Sequence, residues 1–139
     1  MIIGYSINKI KAEKKGKIKG RLDINSTPKI VDVSEKEIEI VGKKKVLVVS
    51  FEFSTNYRPD VAKIEISGEV YYTGKEKEAL KEWKKNKKLP VEVDVEIKNF
   101  LFRKCLILGI NLSQEMQLPP PVMFPIVVPK KKENKNYIG

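Results

Sequence analysis

The sequence contains no histidine and only one cysteine, Cys105. Without histidine the chain cannot build a Ser-His-Asp triad, a Cys-His pair or the common histidine zinc sites. One cysteine cannot form an internal disulfide, a zinc knuckle or a CxxC redox pair. Residues 16–20, which include two glycines, fit neither a P-loop nor a dinucleotide-binding fingerprint. We therefore expect a protein that is not an enzyme and that uses no metal or other cofactor.

Long apolar runs are also absent. No stretch is apolar over the length that crosses a bilayer, so we expect no membrane insertion. The N-terminus lacks a basic start followed by a long apolar run, so no signal peptide is visible and a cytoplasmic location is expected. A chain of 139 residues predicts a single domain that is large enough for a real core.

Arginine is scarce although the net charge is +10, since only Arg21, Arg58 and Arg103 accompany the lysines. Base-edge recognition relies on the bidentate guanidinium, and no aromatic residues interleave with the lysine runs to stack on bases. A surface rich in lysine and glutamate is typical of heat-adapted proteins. We interpret the charge as solubilising surface, and we keep a small basic nucleic-acid-binding protein as the alternative.

Alternating residues in the first 41 positions predict strands. Ile3, Tyr5 and Ile7 share one face of a first strand, and a second strand is predicted over 18–24 after a turn at 14–17. Residues 25–28 look like an interruption of the chain. The runs 30–33 and 38–41 also favour β structure, either as one interrupted strand or as an edge piece.

The strongest strand signals are 46–54, after a turn at 42–45, and 61–73, after a loop at 55–60. Adjacent alternating runs predict an antiparallel pair with one buried face. Gly68 lies on that face, which suggests that another element packs close to the backbone there. The predicted buried face comprises Leu47, Val49, Phe51, Phe53, Ile64, Ile66 and Val70.

Two helices are predicted after the strands. Thr73 and Glu76 have capping-box spacing before a short helix with the apolar residues Ala79, Leu80 and Trp83. A long helix is predicted over 92–116, because Pro90 suits a first turn and the apolar residues recur every three or four positions. Alternating residues at 91–97 leave a strand as the alternative for that segment. The stripe of the long helix is Val93, Ile97, Phe100, Leu101, Cys105, Leu108 and Leu112.

Residues 118–125, which we call the strap, include three consecutive prolines and are predicted to be extended. The fold expected is α+β, with the apolar face of an antiparallel sheet under the long helix. Gly109 in the long helix suggests close packing or a local kink. The domain should span 1–129, followed by a disordered basic tail at 130–139.

The sequence has more large apolar residues than a small sheet and two helices require. We predict that the strap forms one wall of an exposed apolar groove, with Tyr71, Tyr72 and Met116 as the candidates for the other wall. The strap residues assigned to the groove are Leu118, Val122, Met123 and Phe124. The alternative is that 122–124 only plug the end of the sheet as core. Outside the stripe, an oligomer interface for a dimer or tetramer is predicted from Phe102, Leu106, Ile107 and Ile110.

Three features of the chain resemble the SecB family of protein-export chaperones, in its divergent SecB-like branch. They are the paired strands 46–54 and 61–73, the segment Ile-Glu-Ile-Ser-Gly-Glu-Val-Tyr at 64–71, and Leu-Pro-Pro-Pro-Val-Met-Phe-Pro at 118–125. The resemblance covers 1–125 in the family's order. It implies an antiparallel sheet of four (or slightly more) strands, with the short and the long helix packed on one face, and a dimer-of-dimers assembly. It also implies an ATP-independent chaperone that holds unfolded polypeptide in a long apolar groove, so that 122–124 of the strap would face a client.

The charge departs from the resemblance. Family members are typically acidic and dock on the translocase motor SecA, whereas this chain is strongly basic, which argues against a SecA partnership. Some SecB-like proteins instead guard toxin–antitoxin pairs. Whether this chain serves export, general holding or such a pair cannot be read from its residues.

Overall fold

The computed structural model describes residues 1–39, 42–122 and 129. Four strands precede two helices along the chain, as the sequence predicts. The elements are β1 (Ile2–Lys14), β2 (Asp23–Glu39), β3 (Lys43–Arg58), β4 (Ala62–Tyr72), α1 (Glu76–Asn86) and α2 (Val91–Glu115). No helix in the described ranges is long and apolar enough to cross a membrane.

The strands form one antiparallel sheet in the order β1-β4-β3-β2. The first strand therefore pairs with the last, and β1 and β2 are the two edges. Both helices lie on the same face of the sheet, which is the face predicted to be buried. The α+β architecture with a four-stranded sheet is confirmed.

The second strand lies elsewhere than predicted. Residues 15–22 connect β1 to β2, and β2 begins at Asp23 and continues through the predicted interruption at 25–28. Pro28 pairs with Phe53 inside the strand, which is possible because an edge strand has no second neighbour that needs the missing N–H. The runs 30–33 and 38–41 belong to this edge strand as far as Glu39, with a register shift between Ile30 and Asp32.

The central strands β3 and β4 carry the core. Each buries the alternate residues predicted, and β3 also buries Thr55 and Tyr57, since the strand continues to Arg58 through the predicted loop. The turn predicted at 42–45 is shorter in the structure, because β3 begins at Lys43, which pairs with Glu39. The buried face is thus longer than the sequence pattern indicates.

Gly68 lies in β4, between Ile7 of β1 on one side and Phe51 of β3 on the other. A Cβ atom at this position would collide with the carbonyl oxygen of Ser6 and lie 3.0 Å from the Cα atom of Ile7. The close neighbour that the sequence anticipates is therefore the backbone of β1.

Helix α1 begins differently from the prediction. Lys75, in a left-handed conformation, precedes the helix, and no side chain caps it. Thr73 instead extends the sheet, because its N–H donates to the carbonyl of Met1 at 2.9 Å. The Glu76 carboxylate accepts the N–H of Gly74 at 2.6 Å. The capping-box prediction is wrong, although Ala79 and Trp83 are buried as expected.

Helix α2 begins at Val91, directly after Pro90, so the strand alternative for 91–97 is excluded. Its buried residues recur strictly every fourth position. The predicted stripe shares four of them, while Phe100, Leu108 and Leu112 are only half-buried. The buried set is Val93, Ile97, Leu101, Cys105, Gly109 and Ser113.

Candidate functional site

The two tyrosines assigned to one wall of the predicted groove do not share a face of the sheet. Tyr71 and Tyr72 are neighbours on β4, so their side chains lie on opposite faces of the sheet. Tyr72 is buried on the helix face, and its hydroxyl donates to Glu96 Oε1 at 3.1 Å. Burial, reinforced by this carboxylate, raises the pKa of Tyr72. Tyr71 is half-buried on the opposite face beside Gly4. Tyr72 is therefore a core residue.

The strap is attached to the sheet over its described part. The Tyr57 hydroxyl donates to the carbonyl of Pro119 at 2.6 Å, and the N–H of Leu118 donates to the carbonyl of Ser113 at 2.8 Å. The ring of Pro121 lies over Gly109 of α2, where a Cβ atom would be 3.4 Å from Pro121 Cγ. The strap therefore packs closely on α2 at the glycine. Leu118 is buried as a result, so it is core as well.

The other strap-side residues are less enclosed. Met116 is half-buried and its carbonyl accepts from Lys14 Nζ at 3.2 Å, while Val122 is half-buried where the strap leaves the helix. Met123 and Phe124 lie outside the described residues, as does the predicted tail at 130–139. The prediction that 122–124 face a client therefore stays a prediction.

A groove does exist at another place, between β2 and the connection from α1 to α2. Its volume is about 470 Å³. Pro28 and Ile30 of β2 border one side, and Trp83, Leu89 and Val91 border the other. Val91 is 78% exposed although its side chain is apolar. We call these five residues, with the lysines that surround them, the β2 groove.

Local sequence explains why the β2 groove stays open. Lys87, in a left-handed conformation, ends α1, and its N–H donates to the carbonyl of Trp83 at 2.8 Å. Pro90 then starts α2 without continuing the first helix. The short connection buries Leu89, and the β2 groove lies between this connection and β2 at the edge of the sheet.

The rim of the β2 groove is basic. Lys87, Lys88 and Lys98 line it together with Asp94, and Lys98 pairs with Asp94 at 3.1 Å. Within the described part of the chain, Lys87 and Lys88 have no acidic partner. Lys87 Nζ lies 5.7 Å from the centre of the Trp83 ring, a cation–π distance.

Trp83 itself has an unused hydrogen-bond donor. Its side chain is more than nine-tenths buried, and its Nε1 has no acceptor among the described residues. Buried indole N–H groups usually find a partner. The wall of the groove therefore contains a donor that the protein does not satisfy.

A second apolar surface runs along α2 and the β1 edge. Tyr5 of β1 packs on Phe100 at a ring distance of 5.5 Å, under the ammonium of Lys104. On the outer side of α2, Ile107 is 60% exposed and lies between the half-buried Leu106 and Ile110. Phe102, the remaining residue of the predicted interface, packs edge-on against Phe53 at 5.6 Å. Part of that predicted interface is thus exposed, and part contacts the core.

The described residues offer little that can react. No group of three or more metal-ligating side chains occurs among them. Cys105 is buried in α2, and burial raises the pKa of its thiol to about 12. A thiol with that pKa remains protonated at neutral pH and is a poor nucleophile. The arrangement is suited to binding by burial and charge.

Comparison with known proteins finds similarity in structure but not in sequence. No family profile matches the sequence, and no curated protein matches it. Among solved structures, the chain is similar to the SecB-like chaperone Rv1957 of Mycobacterium tuberculosis, in complex with a ChAD peptide from the Rv1956 HigA1 antitoxin. The identity is 13%, the TM-score is 0.50, and the match covers 92% of this chain and 89% of the other. At this identity the likeness shows a SecB-like fold alone.

Proposed function

We propose that this protein is an ATP-independent holding chaperone of the cytoplasm that binds non-native polypeptide in the β2 groove. The observation that carries the proposal is the groove itself, where Val91 of α2 is exposed and Pro28 and Ile30 of the edge strand are half-buried, so that apolar side chains remain in contact with water. An unfolded client offers the matching feature, since its apolar side chains are exposed along an extended backbone.

Binding would come from burial, at roughly 25 cal/mol for each Å² of apolar surface removed from water. A client segment beside Pro28 and Ile30 lies next to the free edge of β2, whose backbone groups can form hydrogen bonds without regard to sequence. Pro28 and the register shift after Ile30 interrupt that edge. They would keep the pairing short, so that a bound client can leave again.

The similar solved structure supports this proposal in two respects. Its fold is that of a chaperone, and it was solved with a peptide bound. For this chain, we propose by the same reasoning that it binds polypeptide and does not catalyse a reaction.

The outer face of α2 supports a second proposal, self-association into a dimer or a dimer of dimers. Ile107 is too exposed to contribute to the core, and the half-buried Leu106 and Ile110 beside it broaden the apolar surface. A second copy of the chain would cover this face. Self-association would also bring more than one β2 groove into one particle, which suits long clients.

The substitution Val91→Ser tests the chaperone proposal. Val91 borders the groove and is exposed, so the fold should tolerate serine, whereas a client loses an apolar contact. We expect the concentration needed for half-suppression of client aggregation to rise roughly fivefold, the effect of about 1 kcal/mol of lost burial. The measurement is light scattering by a chemically denatured client diluted into buffer.

The matched control is Val95→Ser, the same change on the same helix at a residue that is 50% exposed and does not line the groove. It should behave like the unsubstituted protein. Equal loss in both variants would place client binding elsewhere.

Repeating the assay in salt tests the nucleic-acid alternative, which the net charge of +10 favours. Apolar binding should hold or strengthen in salt, whereas nucleic-acid affinity should fall steeply.

A further inference from the structure

We infer that the β2 groove selects polypeptide segments in which acidic residues stand next to apolar ones. This inference rests on the proposed function and names the class of client for the same site. Two observations carry it, namely the charge of the rim and the distribution of charge around the groove.

The rim lysines are available to a ligand. Lys98 is neutralised by Asp94, but Lys87 and Lys88 are exposed and have no carboxylate partner among the residues described. Both follow α1 directly and border the apolar wall formed by Leu89 and Val91. A carboxylate within reach of these ammonium groups would therefore have apolar contacts beside it.

The surroundings extend this preference. Residues 77–88 contain six lysines and two glutamates, a net charge of +4 next to the groove. Such a concentration of charge attracts acidic ligands before contact and repels basic ones. A polypeptide fits better than a nucleic acid, because the walls are aliphatic at Pro28, Ile30, Leu89 and Val91 and offer no row of aromatic rings for bases.

The test uses three fluorescently labelled peptides of equal length that share their leucine and phenylalanine positions. The remaining positions are Asp in one peptide, Asn in the second and Lys in the third. Anisotropy at physiological salt should give an affinity for the Asp peptide roughly tenfold above that of the Asn peptide, with the Lys peptide weakest. Equal affinity for all three peptides would overturn the inference and leave the proposed function intact.

Location is tested by the double substitution Lys87→Gln with Lys88→Gln. We expect affinity for the Asp peptide to fall roughly fivefold and affinity for the Asn peptide to stay unchanged, because two exposed charge contacts are lost. The control pair, Lys77→Gln with Lys81→Gln, removes the same charge from exposed positions of α1 outside the groove. An equal loss in the control pair would mean that overall charge, not the groove, selects the peptide.

Two further outcomes separate the inference from the proposal beneath it. A poly-thymidine oligonucleotide that displaces the Asp peptide at equal concentration would assign the rim to phosphate and overturn the inference. Failure of all three peptides to bind, together with failure to suppress client aggregation, would overturn the proposed function itself.

Discussion

At the scale of single residues, position on a strand decides role more than residue type does. Tyr71 and Tyr72 are chemically identical, yet one lies on the open face of the sheet and the other in the core under Glu96. The sequence pattern already contained this difference, because adjacent strand residues alternate faces. Assigning both tyrosines to one groove wall ignored that alternation.

Gly68 is the residue whose size matters most, and Gly68→Ala tests this. A methyl group there would collide with the carbonyl of Ser6, so β1 would have to move away from β4. We expect the free energy of unfolding to fall by roughly 1–3 kcal/mol, the usual cost of overpacking, as measured by urea denaturation.

The control is Gly16→Ala, since the nearest atom to a Cβ there is the carbonyl oxygen of Asp60, at an ordinary 3.6 Å. Its free energy of unfolding should stay within about 0.5 kcal/mol of that of the unsubstituted protein, as for most surface changes. Equal stability of the two variants would show that β1 can shift freely at Gly68.

At the scale of elements, the sequence predicts best where one pattern runs long. Helix α2, with its start near Pro90, and strand β4 were predicted nearly to their bounds, and β3 was located correctly but extends further at both ends. Edge strand β2 was misplaced, because a proline and polar residues are tolerated where a strand has one neighbour. The β2 groove was missed because it joins Pro28 to Leu89 and Val91, and only the strand order brings them together.

The outer face of α2 yields a prediction about assembly. We expect the unsubstituted protein to show at least twice the mass of one chain by light scattering at micromolar concentration. Ile107→Asp should shift it to the monomer, because a carboxylate buried between two copies has no partner. The helix itself should persist, since Ile107 is 60% exposed in the single chain.

Asn99→Asp is the control for that substitution, because it adds the same charge at an exposed position two turns earlier on α2. It should leave the mass unchanged. A monomeric mass for the unsubstituted protein, or an unchanged mass for Ile107→Asp, would remove α2 as the interface.

At the scale of the whole molecule, the positive charge lies in more than one region. The open face of the sheet mixes signs, as in the Lys63–Glu65 pair at 2.7 Å, which lowers the pKa of Glu65. Residues 9–21 contain six lysines, one arginine and one glutamate, a net charge of +6, and residues 77–88 beside the β2 groove carry +4. The net charge that resembles that of a nucleic-acid-binding protein is therefore shared between the end of β1 with its connection to β2 and the surroundings of an apolar site.

The pairing of the first strand with the last also determines the order in which the protein can be assembled on the ribosome. Strands β2, β3 and β4 follow one another as hairpins. Ile2 in β1, by contrast, pairs with Tyr72, which is synthesised 70 residues later. Contacts so distant in sequence form late, because closing the long loop costs entropy first.

We therefore expect pulsed hydrogen exchange during refolding to protect the amides of β1 after those of β3, and simultaneous protection would contradict this order. Until β1 pairs with it, β4 is an exposed strand edge in the nascent chain. A protein proposed to bind incompletely folded chains would therefore itself pass through a stage in which an exposed edge could bind a chaperone.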